Sequence, residues 1–79
     1  MADLATVDDI IRLKRALTQE EIDRANALLP VVSAFLRDEA HRQGKDLDEM
    51  IASGEVSAEV VVSVVADIVL RELNAPTIR

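Results

Sequence analysis

The adjacent carboxylate pairs Asp8–Asp9, Glu20–Glu21 and Asp38–Glu39 are among the first places to look for acid–base chemistry. Residues next to each other on a helix diverge by about 100°, so none of these pairs can share a proton. Two of the pairs fall where helices begin, and there a carboxylate serves the helix dipole. A nucleophile fares no better. Ser33, Ser53, Ser57 and Ser63 have only His41 as a conceivable base. Ser33 and His41 lie eight positions apart, about 12 Å along one helix, whereas activation requires contact near 3 Å. The two glycines are too far apart in sequence for a phosphate cradle. There is no cysteine, and a single histidine makes a poor metal site. The chain is expected to be no enzyme and to carry no cofactor and no metal.

Two groups of residues suit contact rather than catalysis. "RLKR" places Arg12, Lys14 and Arg15 within four positions. It has two readings of equal weight: cations dressing a helix C-terminus, or a charged contact with an acidic neighbour. The second group is Asn74, Ala75, Pro76, Thr77, Ile78 and Arg79, which follow the last helix stop and have no core role in the sequence pattern. Both groups are candidates for contact between subunits or with a partner.

Four helical segments must position these residues. Thr6 with Asp9 three residues on resembles a capping box and opens a short helix at about 7–15. Thr18 and Glu21 form the full S/T-x-x-E box of a longer helix that Gly44 closes. Along it Ile22, Ala25, Leu29, Val32, Leu36 and Ala40 recur at helical spacing. Pro30 interrupts this helix on its polar side, where water can solvate the freed carbonyl of Asn26, so one kinked helix is expected rather than a break. Two helices meeting at Leu29 fit the sequence nearly as well. Asp46 and Gly54 bracket a third, two-turn helix.

The valine run "SAEVVVSVVADIVLRELNAP" looks at first like strand. Its stop signals at Asn74 and Pro76 lie some 17 residues beyond the Ser57 cap, a helix length that strands seldom reach. Ser63, Asp67 and Arg71 recur every fourth residue as one narrow polar stripe. The rest of the circumference is apolar, so this helix is expected to be covered on more than one side. The fold class is all-α: a small bundle of about four helices in a single domain over residues 1–79, with one long proline-kinked helix and a buried valine-rich C-terminal helix.

Seventy-nine residues hide little surface, and no disulfide or thiolate metal site is possible without cysteine, so partner burial is the remaining staple. Nine basic against fifteen acidic residues give a net charge of −6, which argues against gripping a phosphate backbone. No apolar stretch is long enough for a membrane span, and no start resembles a signal peptide. A soluble protein of a reducing compartment is expected. Acyl carrier proteins are also small acidic helical bundles, but none of the serines here follows an aspartate as their Asp-Ser-Leu motif requires.

In order, "MADLATVDDI", "LTQEEIDRANALLPVVSAFLRDEA", "GKDLDEMI" and "VVVSVVADIVLRELNAPT" resemble the phage head–tail connector proteins, or head–tail adaptors, over essentially the whole chain. The resemblance implies a structural subunit of a tailed phage, prophage or gene-transfer agent. Such subunits assemble as a homo-oligomeric ring, commonly of twelve copies, beneath the portal protein. The ring extends the DNA conduit and meets a tail-side stopper or tail terminator protein. It implies a place at the virion neck after synthesis in the bacterial host cytoplasm, with DNA only as passing cargo and no membrane. Relatives commonly continue past "APT" into a Gly/Ser- and aromatic-containing tail, whereas this sequence ends at Arg79. The rival expectation is a small regulatory module, antitoxin- or anti-factor-like, that presents an apolar groove to a partner helix.

Overall fold

A computed structural model describes residues 3–74, and Ala75, Pro76, Thr77, Ile78 and Arg79 of the second candidate group lie outside them. Among the described residues there are four helices and no strand: α1 Val7–Leu13, α2 Gln19–Arg42, α3 Leu47–Ser53 and α4 Ala58–Asn74. The valine run is therefore helix, and the chain is a small all-α bundle.

The local signals act as their chemistry dictates. The Asp9 amide donates to Thr6 Oγ1 at 3.2 Å while the Thr6 amide donates to Asp9 Oδ2 at 2.9 Å. At α2 the same reciprocal box joins Thr18 and Glu21, with bonds of 3.2 and 3.0 Å. Each box satisfies two amides at a helix start. Gly44, at φ +73°, ends α2: its amide donates to the His41 carbonyl and the Lys45 amide to the Ala40 carbonyl, both at 2.9 Å. That double bond pattern is a Schellman stop, which favours glycine because a Cβ is strained at positive φ.

α2 runs unbroken through Pro30, which is exposed, as is Asn26 whose carbonyl the proline frees. One long helix is the outcome, not two. α1 stops sooner than the expected 7–15: Lys14 is its cap, at φ −121° and ψ −77°, and Arg15 lies past the end. The Arg15 side chain is drawn instead to the start of α2 and the end of α4, so the chain must leave the helix to let it reach.

α4 is the centre of the bundle. Val61, Val65, Ala66, Val69 and Leu73 are buried on it. α2 contributes Ala25, Leu29 and Val32, α1 contributes Ile10, and Ala5 closes the N-terminal side. α2 and α1 pack against α4, whereas α3 packs against α2. The expectation that α4 is covered on more than one side holds for these two flanks. Its outward side is open, with Val60 57% and Val64 42% exposed. The physical reason is a shortage of elements: the one helix left to cover that side, α3, is seven residues long and sits against α2.

Candidate interaction surface

The basic cluster is largely engaged within the chain. Arg12 bridges Asp9 at 2.9 Å and Lys14 approaches Asp67 at 3.8 Å. Arg15 does most. It grips Glu21 with two bonds, 3.1 and 2.8 Å, and also donates to the Ala16 carbonyl at 3.0 Å and to Asn74 Oδ1 at 2.8 Å. One guanidinium thus ties the α1–α2 loop, the N-terminus of α2 and the last residue of α4. Arg24 reinforces the knot by donating to the Glu72 carbonyl at 3.4 Å. The fold brings together Arg15 and Asn74, which fall in two separate groups along the sequence. Arg12, with two thirds of its side chain exposed, is the member of "RLKR" most open to a partner.

Electrostatics follow from this geometry. The Arg15 guanidinium, then the Thr18 amide, hold the Glu21 carboxyl down to about 2, and Glu21 in turn raises Arg15. Asp9 is lowered by its bond from Arg12 and then by the Thr6 amide. Both carboxyl groups have folded pKa values below their unfolded ones, so the stability they add is complete above the unfolded value and disappears as pH falls through the folded one. For Glu21 that window runs from 4.5 down to about 2. Urea midpoints are therefore expected to decline on acidification from pH 5 to pH 2, and Glu21→Gln should flatten the decline. Identical pH profiles for the two proteins would show that the Arg15 grip contributes nothing. Exposure and screening by salt keep the effect small.

The chemical candidates stay apart. Ser33 is buried, and its Oγ accepts the Leu4 amide at 2.9 Å, so its task is to pin the N-terminal segment across α2. Sequence reasoning missed this role. A serine inside an apolar stripe, between Val32 and Leu36, was the available signal. His41 is exposed, on the flank of α2 that faces α3. There a cleft of about 620 Å³ opens over Pro30, Ala34 and Leu47, rimmed by charges of both signs including Asp38, Lys45 and Asp46. Arg37 crosses its wall to Asp48 with bonds of 3.0 and 3.1 Å. Among the described residues no group of three or more potential ligands could hold a metal ion, and no helix is long and apolar enough to cross a membrane.

The surface also carries large apolar side chains: Val31 and Phe35 on α2, Val60 and Val64 on α4, and Ile11 and Leu13 on α1. Phe35 is the sole aromatic residue of the chain and is 56% exposed. Burying a phenylalanine in water-free contact is worth about 1.5–3 kcal/mol, so leaving it open forfeits stability that a partner would recover.

No curated protein and no solved structure matches the chain. A family model does, the one described as phage protein Gp19/Gp15/Gp42, and it spans residues 13–78. That range takes in the end of α1 and all of α2, α3 and α4. With most of its length so matched, the chain belongs to the phage protein family Gp19/Gp15/Gp42.

Proposed function

We propose that this phage protein is a structural head–tail connector subunit, which forms a homomeric ring beneath the portal, extends the DNA conduit and joins head to tail. The observation that carries the reading is the phage family match over residues 13–78 of a helical domain, in which Thr18, Glu21 and Ser33 serve backbone amides. The resemblance of "ALLPVVSAFLRDEA" and "SVVADIVLRELNAPT" to head–tail adaptors supplies the position in the particle. Physical character supports it from two directions. A net charge of −6 suits a conduit wall, since a basic lining would hold passing DNA through its phosphates. A small core with apolar side chains left on the surface suits a protein that completes its burial in an assembly.

The portal, a tail-side stopper or terminator, and further copies of the chain are its proposed partners, and the virion neck its location. Arg12 is the best placed of the proposed contact residues, and Ala75–Arg79 remain candidates. Deleting the gene from its phage or prophage is expected to yield DNA-filled heads and free tails with few joined particles, restored by supplying the protein in trans. Normal joined particles from the deletion strain, or purified particles that lack the protein, would overturn the assignment.

A further inference from the structure

α4 ends without the stop that closes its neighbours. α2 and α3 run out at glycines of positive φ, Gly44 and Gly54, whereas no glycine follows Asn74. The last four carbonyls of a helix have no partner inside it, so other groups must meet them. At α4 two guanidinium groups from elsewhere in the fold reach the last turn. Arg24 of α2 donates to the Glu72 carbonyl at 3.4 Å, and Arg15 of the α1–α2 loop donates to Asn74 Oδ1 at 2.8 Å. Cations at this end of a helix also suit its dipole.

Arg15 is held as firmly as it holds. Its Nη1 donates to Glu21 Oε1 and to the Ala16 carbonyl, and its Nη2 to Glu21 Oε2 and Asn74 Oδ1. Two parallel bonds to one carboxylate fix the plane of the guanidinium, so Glu21 aims it. Glu21 is itself fixed, because Oε1 also accepts the Thr18 amide at 3.0 Å. Thr18, Glu21, Arg15 and Asn74 therefore form an unbroken hydrogen-bonded chain from the cap of α2 to the last residue of α4. A lone surface ion pair is worth little, but here each bond restrains the groups that make the next. Lysine offers the charge without the planar fork that grips a carboxylate side-on.

We propose that Arg15 is a positioning residue that couples the end of α4 to the start of α2, and thereby fixes where the chain leaves α4 toward residues 75–79. The coupling is reciprocal: whatever displaces Asn74 loosens the first turn of α2, and loss of the Glu21 grip frees Asn74. Residues 75–79 belong to the second group of contact candidates, so a partner that engages them meets an exit point already set. The coupling is a property of the free chain and stands without the connector reading.

The test is amide exchange across the full chain, with circular dichroism to show that helix content is kept. Arg15→Met is expected to speed exchange at Arg71–Asn74 about threefold or more and to leave Val61–Val65 unchanged. Glu21→Gln keeps a side chain able to complete the cap of α2 but removes the carboxylate that aims Arg15, so it should speed the same amides. The double variant should be no faster than Arg15→Met, because both changes break one chain of bonds. Asn74→Ala should in turn speed exchange at Glu21 and Ile22, and Arg15→Lys should not restore slow exchange at Arg71–Asn74. Unchanged Arg71–Asn74 amides in Arg15→Met, additive effects in the double variant, full rescue by lysine, or Glu21 and Ile22 amides indifferent to Asn74→Ala would each overturn the proposal. Should Arg15→Met not fold, Glu21→Gln and Asn74→Ala still decide it. Tail joining in the deletion strain is a separate readout, so either idea can fail without the other.

Discussion

Leu29→Ala is expected to remove a large part of the isolated chain's stability, read as a sharply lower urea midpoint. Leu29 is 2% exposed, in the middle of α2, and belongs to the core with Val32, Val65 and Val69. Truncating such a leucine removes its transfer free energy and leaves a cavity, together about 2–5 kcal/mol. At roughly 0.05–0.15 kcal/mol per residue, a domain of this size holds only about 4–12 kcal/mol in all. The loss is thus a large fraction of the whole, and there is no disulfide to hold the remainder together. Phe35→Ser is the control: the larger side chain, 56% exposed, should change the urea midpoint of the monomer little. Equal destabilisation by both changes would mean that Phe35 lies in the core and that the packing of α2 described above is wrong.

The difference between those two residues marks how far the sequence could be read. Helix identities and most boundaries were visible because their signals are local. A threonine and a carboxylate three apart cap a helix whatever surrounds them, and a glycine at positive φ ends one. Leu29 could be placed in the core from its spacing with Ala25 and Val32. Phe35, Val60 and Val64 could not be placed, since their exposure depends on how many helices the chain has left to cover a given side. The outward side of α4 is open because α3 is short and is used against α2. The Ser63, Asp67 and Arg71 stripe marks that side, but nothing in the spacing says that Val60 and Val64 beside it stay open.

The same limit applied to the charges. "RLKR" was visible as a cluster, and the reading as a charged surface was as good as the reading as helix-end cations. The fold gives Arg15 a third role, a knot between residues 59 positions apart, Arg15 and Asn74. α1 ends at Leu13, short of Arg15. Ser33 is the polar counterpart: its bond to Leu4 spans 29 positions. Long-range hydrogen bonds have no signature in spacing; the first of these ties the end of α4 to the α1–α2 loop, and the second ties the N-terminal segment to the middle of α2.

Pro30→Ala is expected to stabilise the protein. A proline in a helix interior costs about 3 kcal/mol relative to alanine, through the lost hydrogen bond to the carbonyl four residues back and the clash of its ring with it. Here that carbonyl belongs to exposed Asn26, so water already recovers part of the loss. Replacing proline also frees the unfolded chain, which offsets about 0.4–1 kcal/mol of the gain. The balance is a rise of about 1–2 kcal/mol, read as a higher urea midpoint with an unchanged slope. Pro30 also lines the cleft beside Leu47 at the start of α3. If the midpoint falls instead, the proline is bending α2 to fit α3, and the stability it costs within the helix is returned by the contact between them. A companion measurement separates the cases: amide exchange in Leu47–Ser53 should be unchanged by the substitution if the bend is dispensable, and faster if α3 depends on it.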